Sequence, residues 1–141
     1  MTNSNQLAVD KKNIDTILVL DFGSQYTQLI ARRIRELDVF SIILPWDISK
    51  ERITALNPTG IILSGGPESV TKINTPRIPK IIFDLDVPIL GICYGMQTLA
   101  EQYGGQVTAS KTKEFGHASI TLEKASTLFH DFDAGSIIDV W

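Results

Sequence analysis

The pattern of apolar and polar positions along the chain alternates between two periods. Thr16–Asp21 (TILVLD) is an unbroken apolar run with β-branched residues, as expected of a strand buried on both faces. Phe22, Gly23 and Ser24 break it. Tyr26, Leu29, Ile30, Ile34 and Leu37 then recur at helical spacing, with Arg32, Arg33, Arg35 and Glu36 between them, which predicts an amphipathic helix. Residues 39–44 predict a second strand closed by Pro45. Ser49 is placed to cap a short helix through Leu56, ended by Asn57-Pro58. Gly60–Leu63 predicts a third strand, and Ser64-Gly65-Gly66-Pro67 a loop. A helix within residues 76–85, a strand over residues 88–93 and a helix over residues 94–103 follow, the last stopped by Gly104-Gly105. Beyond this point the character shifts. Residues 106–109, 118–122 and 136–141 predict short strands joined by loops.

Strand and helix in alternation predict an α/β fold: an open, mostly parallel sheet with helices on both faces and a small extra β region toward the C-terminus. The working site of such a sheet lies at the carboxyl ends of its strands. Three loops meet that condition: residues 22–25, 64–69 and 93–97. The polar start of the chain lacks periodicity, so residues 1–14 are expected to be a flexible tail and residues 15–141 one domain.

Composition narrows the function classes. The chain has 141 residues, 43% of them hydrophobic and 21% charged, as in an ordinary globular domain. Its 13 basic and 16 acidic residues give a net charge of −3 with no basic patch, so neither nucleic acid nor an anionic membrane is an expected partner. No apolar run approaches the roughly 20 residues that span a bilayer. The polar residues 1–13 hold no signal-peptide core, and one cysteine makes no internal disulfide. The cytoplasm is therefore the expected compartment.

That one cysteine is either a small core residue or a reactive thiol, and its surroundings decide. Gly91-Ile92-Cys93-Tyr94-Gly95 is a G-x-C-x-G run at a strand-to-helix junction, the cysteine counterpart of a nucleophile elbow. A nucleophile on so sharp a turn needs strained backbone angles. Gly91 and Gly95, two residues to either side, leave room for strand and helix to approach. The turn also sets the sulfur at a helix N-terminus, where free N–H groups and the dipole favour thiolate. Against a buried core cysteine, this context favours the nucleophile. The Ser64-Gly65-Gly66-Pro67 loop by itself reads as a tight turn. Beside an elbow it offers a Gly66 N–H to an oxyanion, with the Tyr94 N–H as a second donor. Gln97 lies one helical turn after Cys93, and its amide suits either a substrate's polar atoms or plain solvent.

Four stretches carry a resemblance. Residues 17–36 (ILVLDFGSQYTQLIARRIRE), 64–69 (SGGPES), 91–100 (GICYGMQTLA) and Glu114-Phe115-Gly116 resemble the class I glutamine amidotransferase family. Within it, residues 21–28 (DFGSQYTQ) resemble the GMP synthase branch, and the likeness runs from about Thr16 to Trp141. The resemblance implies a flavodoxin-like or Rossmann-like sheet and attack of Cys93 on the carboxamide of glutamine. Ammonia would leave, and water would resolve the thioester to glutamate. It implies Gly66 and Tyr94 as oxyanion-hole donors and Gln97 as a glutamine-binding residue. It implies no metal or cofactor in this domain. A separate ATP-pyrophosphatase (synthetase) domain would use ATP and Mg²⁺ to aminate XMP to GMP, in a homodimeric parent.

The family completes its triad with a histidine and a glutamate in an H-x-E motif. This chain has only His117 and His130, neither in that motif, and it carries no synthetase domain. The expectation is an amidotransferase domain lacking its C-terminal portion and by itself inactive. His117 follows Glu114-Phe115-Gly116, where a turn or strand start is expected rather than a catalytic base. Two other readings compete. One is an amidotransferase of another synthase, or a related Cys-elbow hydrolase. The other is a non-enzymatic flavodoxin-like module with Asp21 as the acidic residue of a binding pocket.

Overall fold

In the computed structural model, residues 14–109 and 116–141 are described. The expected tail falls outside them, except for the exposed Ile14, as do Glu114 and Phe115. The order of elements is β1 (Thr16–Asp21), α1 (Thr27–Arg35), β2 (Phe40–Pro45), α2 (Lys50–Leu56), β3 (Gly60–Leu63), α3 (Lys80–Asp84), β4 (Ile89–Gly91) and α4 (Tyr94–Gln102), then β5 (Ala118–Thr121) and β6 (Ile137–Val140), with a 3-10 turn at Thr127–Phe129 between the last two. The chain divides into two compact units, Met1–Thr108 and Ala109–Trp141.

The first unit is a four-stranded parallel sheet in the order β2-β1-β3-β4. One of its two inner strands, β1, buries Leu18, Val19 and Leu20 completely, as an apolar run with neighbours on both faces must. The register sets Leu18 beside Ile42 and Ile61, and Leu20 beside Leu44 and Leu63. These side chains share one face, where they join Ile53 of α2 and Ile82 of α3 in the main core. Helix α1 lies on the other face, against β1 and β2. There the buried Ser41 hydroxyl of β2 donates to the Ala31 carbonyl of α1 at 3.0 Å. Helices on both faces are thus observed.

Two details differ from the sequence pattern. In α1 the fully buried positions are Thr27 and Ala31, while Tyr26, Leu29 and Leu37 are exposed. Two small side chains let this helix sit close to the sheet, and that closeness turns the larger apolar residues outward. Helix α3, by contrast, lies within the expected residues 76–85, and Pro79 with its extended backbone (ψ 134°) immediately precedes its start. Residues 106–109, expected to form a strand, have no regular structure. Gly104 turns the chain at φ 87° and the Gly105 N–H donates to Ala100 O, which leaves Val107 as the one position of the run packed against the core.

The second unit pairs β5 and β6 antiparallel, the expected small β region. Gly116, at φ 102°, turns the chain one residue before His117, which leads into β5 as the sequence suggested. Every residue of β5 is exposed.

Candidate active site

The site grows from the carboxyl ends of β1, β3 and β4. Strand β4 stops at Gly91, and the Ile92 N–H donates to Leu63 O at 2.9 Å, so the chain stays on the sheet for one residue more. Cys93 then takes φ 49° and ψ −115° before α4 begins at Tyr94. These angles lie in a region that only glycine visits freely. The turn holds because its flanks are glycines. A Cβ on Gly91 would stand 2.6 Å from Met96 Cα, and one on Gly95 would stand 2.6 Å from Leu63 Cβ. No side chain fits at either position. The strain expected for an elbow is therefore present at the expected residue.

Hydrogen bonds lock this turn to the loop after β3. The Gly95 N–H donates to Ser64 O at 3.0 Å and to Ile92 O at 2.9 Å. Ser64 is buried, and its hydroxyl accepts from Phe22 N at 3.1 Å while donating to Gly65 O at 3.0 Å. One serine thereby joins the loops after β1 and β3. Gly66 lies so close beneath Phe22 that a Cβ would meet Phe22 O at 2.5 Å. The Tyr94 ring is buried against Phe22 at 5.4 Å, and its hydroxyl donates to Pro76 O, so only its main chain is left for the site. Among the described residues, neither the Gly66 nor the Tyr94 N–H has a hydrogen-bond acceptor.

Between the three loops lies a cleft of about 390 Å³ lined by Gly23, Ser24, Gln25, Tyr26, Gly65, Gly66, Pro67 and Cys93. Cys93 is exposed to it, with Gly65 so near that a Cβ there would stand 3.4 Å from Cys93 Cβ. Of the residues singled out in the sequence, Cys93 and Gly66 line the cleft. Gly91 and Gly95 shape it from behind. Gln97 is half-buried one turn along α4, with its N–H on Cys93 O at 3.1 Å, and it does not line the cleft. Ser24 and Gln25 lie in the loop of residues 22–25 that the sequence pattern places at the working edge, though it assigns them no role, and it puts Tyr26 in the following helix. The available signal was their place in the loop after β1, at the carboxyl edge of the sheet.

The lining contains no imidazole, carboxylate or amine among the described residues. Asp21 stands at the end of β1, but its Oδ1 accepts from Gly23 N at 2.9 Å and from the Thr27 hydroxyl at 2.8 Å. That carboxylate fastens the first turn of α1 to the sheet. In the second unit, His117 Nε2 meets Asp139 Oδ1 at 3.2 Å and its ring packs on Trp141, while His130 Nε2 meets Asp131 Oδ1 at 3.2 Å.

Comparison with known proteins agrees with this geometry. The family model described as glutamine amidotransferase class-I matches residues 18–138. A protein of Tolumonas auensis named GMP synthase [glutamine-hydrolyzing] is 55% identical over 131 residues, which is 89% of this chain and 25% of that protein. A protein of the same name from Vibrio vulnificus is 54% identical over 132 residues, covering 92% of this chain and 25% of the relative. The chain thus spans about a quarter of the length of these curated relatives. Among solved structures, a Thermoplasma acidophilum protein provisionally named as one subunit of GMP synthase superimposes with a TM-score of 0.75 at 34% identity, over 91% of this chain and 63% of that one.

Proposed function

The chain belongs to the class I glutamine amidotransferase family, and on that premise we propose that Cys93 is the nucleophile that cleaves the side-chain carboxamide of glutamine. Its Sγ attacks the carboxamide carbon. The carbonyl oxygen, now negative, accepts from the N–H groups of Gly66 and Tyr94. Fixed donors of this kind stabilise developing charge where water is excluded. Collapse of the adduct breaks the C–N bond and releases ammonia, leaving a γ-glutamyl thioester that water hydrolyses to glutamate. Gln97 stands outside the cleft lining, and a part for it in holding the glutamine rests on the family resemblance alone.

Among the described residues, the cleft lining provides a nucleophile and donors but no imidazole, carboxylate or amine to carry protons. The thiol must lose a proton and the leaving nitrogen must gain one. Without a positioned carrier such steps forgo about 10²–10⁴-fold in rate, so the chain by itself should turn glutamine over slowly or not at all. In the longer relatives the ammonia would pass to a synthetase module that aminates XMP to GMP in a homodimeric enzyme of the cytoplasm. ATP and Mg²⁺ belong to that module in this reading, since cleavage of a carboxamide by a thiol calls for neither. The competing idea of a binding pocket built on Asp21 is weakened by the two hydrogen bonds already on its Oδ1.

The observation that carries the proposal is the backbone of Cys93, held in a conformation that only glycine visits freely, in a cleft that Gly65 and Gly66 also line. The test is alkylation by a chloroketone built on the amino-acid end of glutamine. Binding it beside Sγ should make Cys93 react at least about tenfold faster than a cysteine in an unstructured peptide. Free glutamine should slow the reaction, and mass spectrometry should find the adduct on Cys93. A rate equal to that of the peptide would refute the nucleophile assignment.

A further inference from the structure

The two N–H groups offered to the oxyanion belong to different stretches of chain. Gly66 follows β3, and Tyr94 opens α4. Two donors serve one oxygen only where the spacing between them is fixed. One residue touches both stretches. Phe22, directly after β1, is 3% exposed and stands outside the cleft lining, so its ring has no part in the chemistry above. Its main chain and Cβ lie against Gly66: a Cβ added there would stand 2.5 Å from Phe22 O and 3.2 Å from Phe22 Cβ. Its ring packs on the Tyr94 ring, with centroids 5.4 Å apart and planes at 54°. Phe22 is itself fastened, because its N–H donates to the buried Ser64 hydroxyl at 3.1 Å. The Tyr94 ring is tied at its other end, where its hydroxyl donates to Pro76 O.

We infer that Phe22 is a positioning residue: in contact with both Gly66 and Tyr94, it holds their two N–H groups in register for one oxyanion. The two contacts use different parts of the residue. Gly66 meets the main chain and Cβ, which any side chain larger than glycine retains. Tyr94 meets the ring. A smaller side chain therefore keeps the first contact and loosens the second, since a core closes only partly around a lost group. The donors then drift apart while the thiol stays as accessible as before. This inference rests on Cys93 as the nucleophile and on Gly66 and Tyr94 as the donors, and it adds what aligns them.

The experiment compares two probes on the chain and on its Phe22→Leu variant. With p-nitrophenyl butyrate, Sγ attacks the ester carbonyl, whose oxygen becomes the oxyanion. The S–C bond forms, the C–O bond breaks, p-nitrophenolate leaves without needing a proton, and the thiol proton passes to solvent. With iodoacetamide, Sγ displaces iodide at a methylene carbon and no oxyanion forms. The reading is the ratio of acylation to alkylation rates, each corrected for Cys93→Ala. A misplacement of about 1 Å costs up to about 10²-fold, so the ratio should fall at least about tenfold in Phe22→Leu, with the iodoacetamide rate unchanged. Ile53→Val, a change at a fully buried residue of α2 outside the cleft lining, should leave the ratio as it was. A ratio that survives Phe22→Leu overturns the inference. So does a loss shared equally by both probes, or a fall of the same size in Ile53→Val, since any loosening of the core would then suffice. If Phe22→Leu does not fold, Phe22→Met is judged by the same ratio, and failure of both to fold overturns the inference because the ring would then serve the fold. An unaltered chain acylated no faster than a peptide cysteine removes the donor assignment itself, an outcome read before any change at Phe22 is made.

Discussion

Cys93 stores strain. A non-glycine residue in so sparsely populated a region of backbone space costs about 1–3 kcal/mol, met by the surrounding contacts. The side chain is exposed, so its removal forfeits little burial. Cys93→Gly should therefore raise the stability of the chain by about 1 kcal/mol while abolishing alkylation, as a urea melt and the chloroketone assay would show. A Cys93→Gly chain less stable than the original would mean that the thiol helps to hold the turn. The need for Gly91 and Gly95 was legible in the sequence, because a nucleophile at a strand-to-helix junction dictates small residues two positions away on either side. The difference between Gly65 and Gly66 was not. Both look alike in Ser64-Gly65-Gly66-Pro67, and only the placement of Phe22 above one and Ser24 beside the other separates them.

At the scale of elements, the anchoring of α4 decides how firmly the elbow is held. Gln102, in its last turn, accepts from Ile78 N at 2.8 Å and donates to Ile78 O at 3.0 Å, as a neighbouring strand would. Its Oε1 also accepts from the buried Thr98 hydroxyl at 2.9 Å. Gln102→Ala would strip partners from three polar groups in a partly buried seam. Each neutral hydrogen bond is worth about 0.5–1.5 kcal/mol net, so the loss should be about 1–3 kcal/mol, read as a lower urea midpoint. A loss below this range would show that water replaces the amide. Gln102 was invisible to pattern reading because its partner is main chain 24 residues away. The strands were legible for the opposite reason: an apolar run bounded by Gly, Pro or Asp is a local signal. Residues 106–109 misled because Val107 supplies apolar character for one contact only, too little to make a strand.

Across the whole chain, stability is unevenly spread. The first unit encloses β1 and β3, and Leu18, Leu20 and Leu63 have no exposed surface. The second unit is a two-stranded ribbon whose β5 is wholly exposed and whose Ile137 is 73% exposed. Two strands alone are marginal in water. Amide exchange should therefore run slowest at β1 and β3, and at least about 100-fold faster at β5 and β6, a pattern that mass spectrometry of exchanged peptides would detect. Equal protection in both regions would contradict the burial seen here. Among the described residues, no helix is long and apolar enough to cross a membrane.

The cleft draws its walls from three stretches of chain: residues 23–26, 65–67 and Cys93. None makes the cleft alone, and the parallel sheet that gathers them pairs β1 with β3 and β3 with β4 across long intervals of sequence. Such pairings close slowly, because loop entropy is spent before the contacts repay it. The thiol thus keeps time for the molecule. During refolding, Cys93 should behave as an ordinary cysteine until the third and fourth strands have docked, and acquire its selectivity only then.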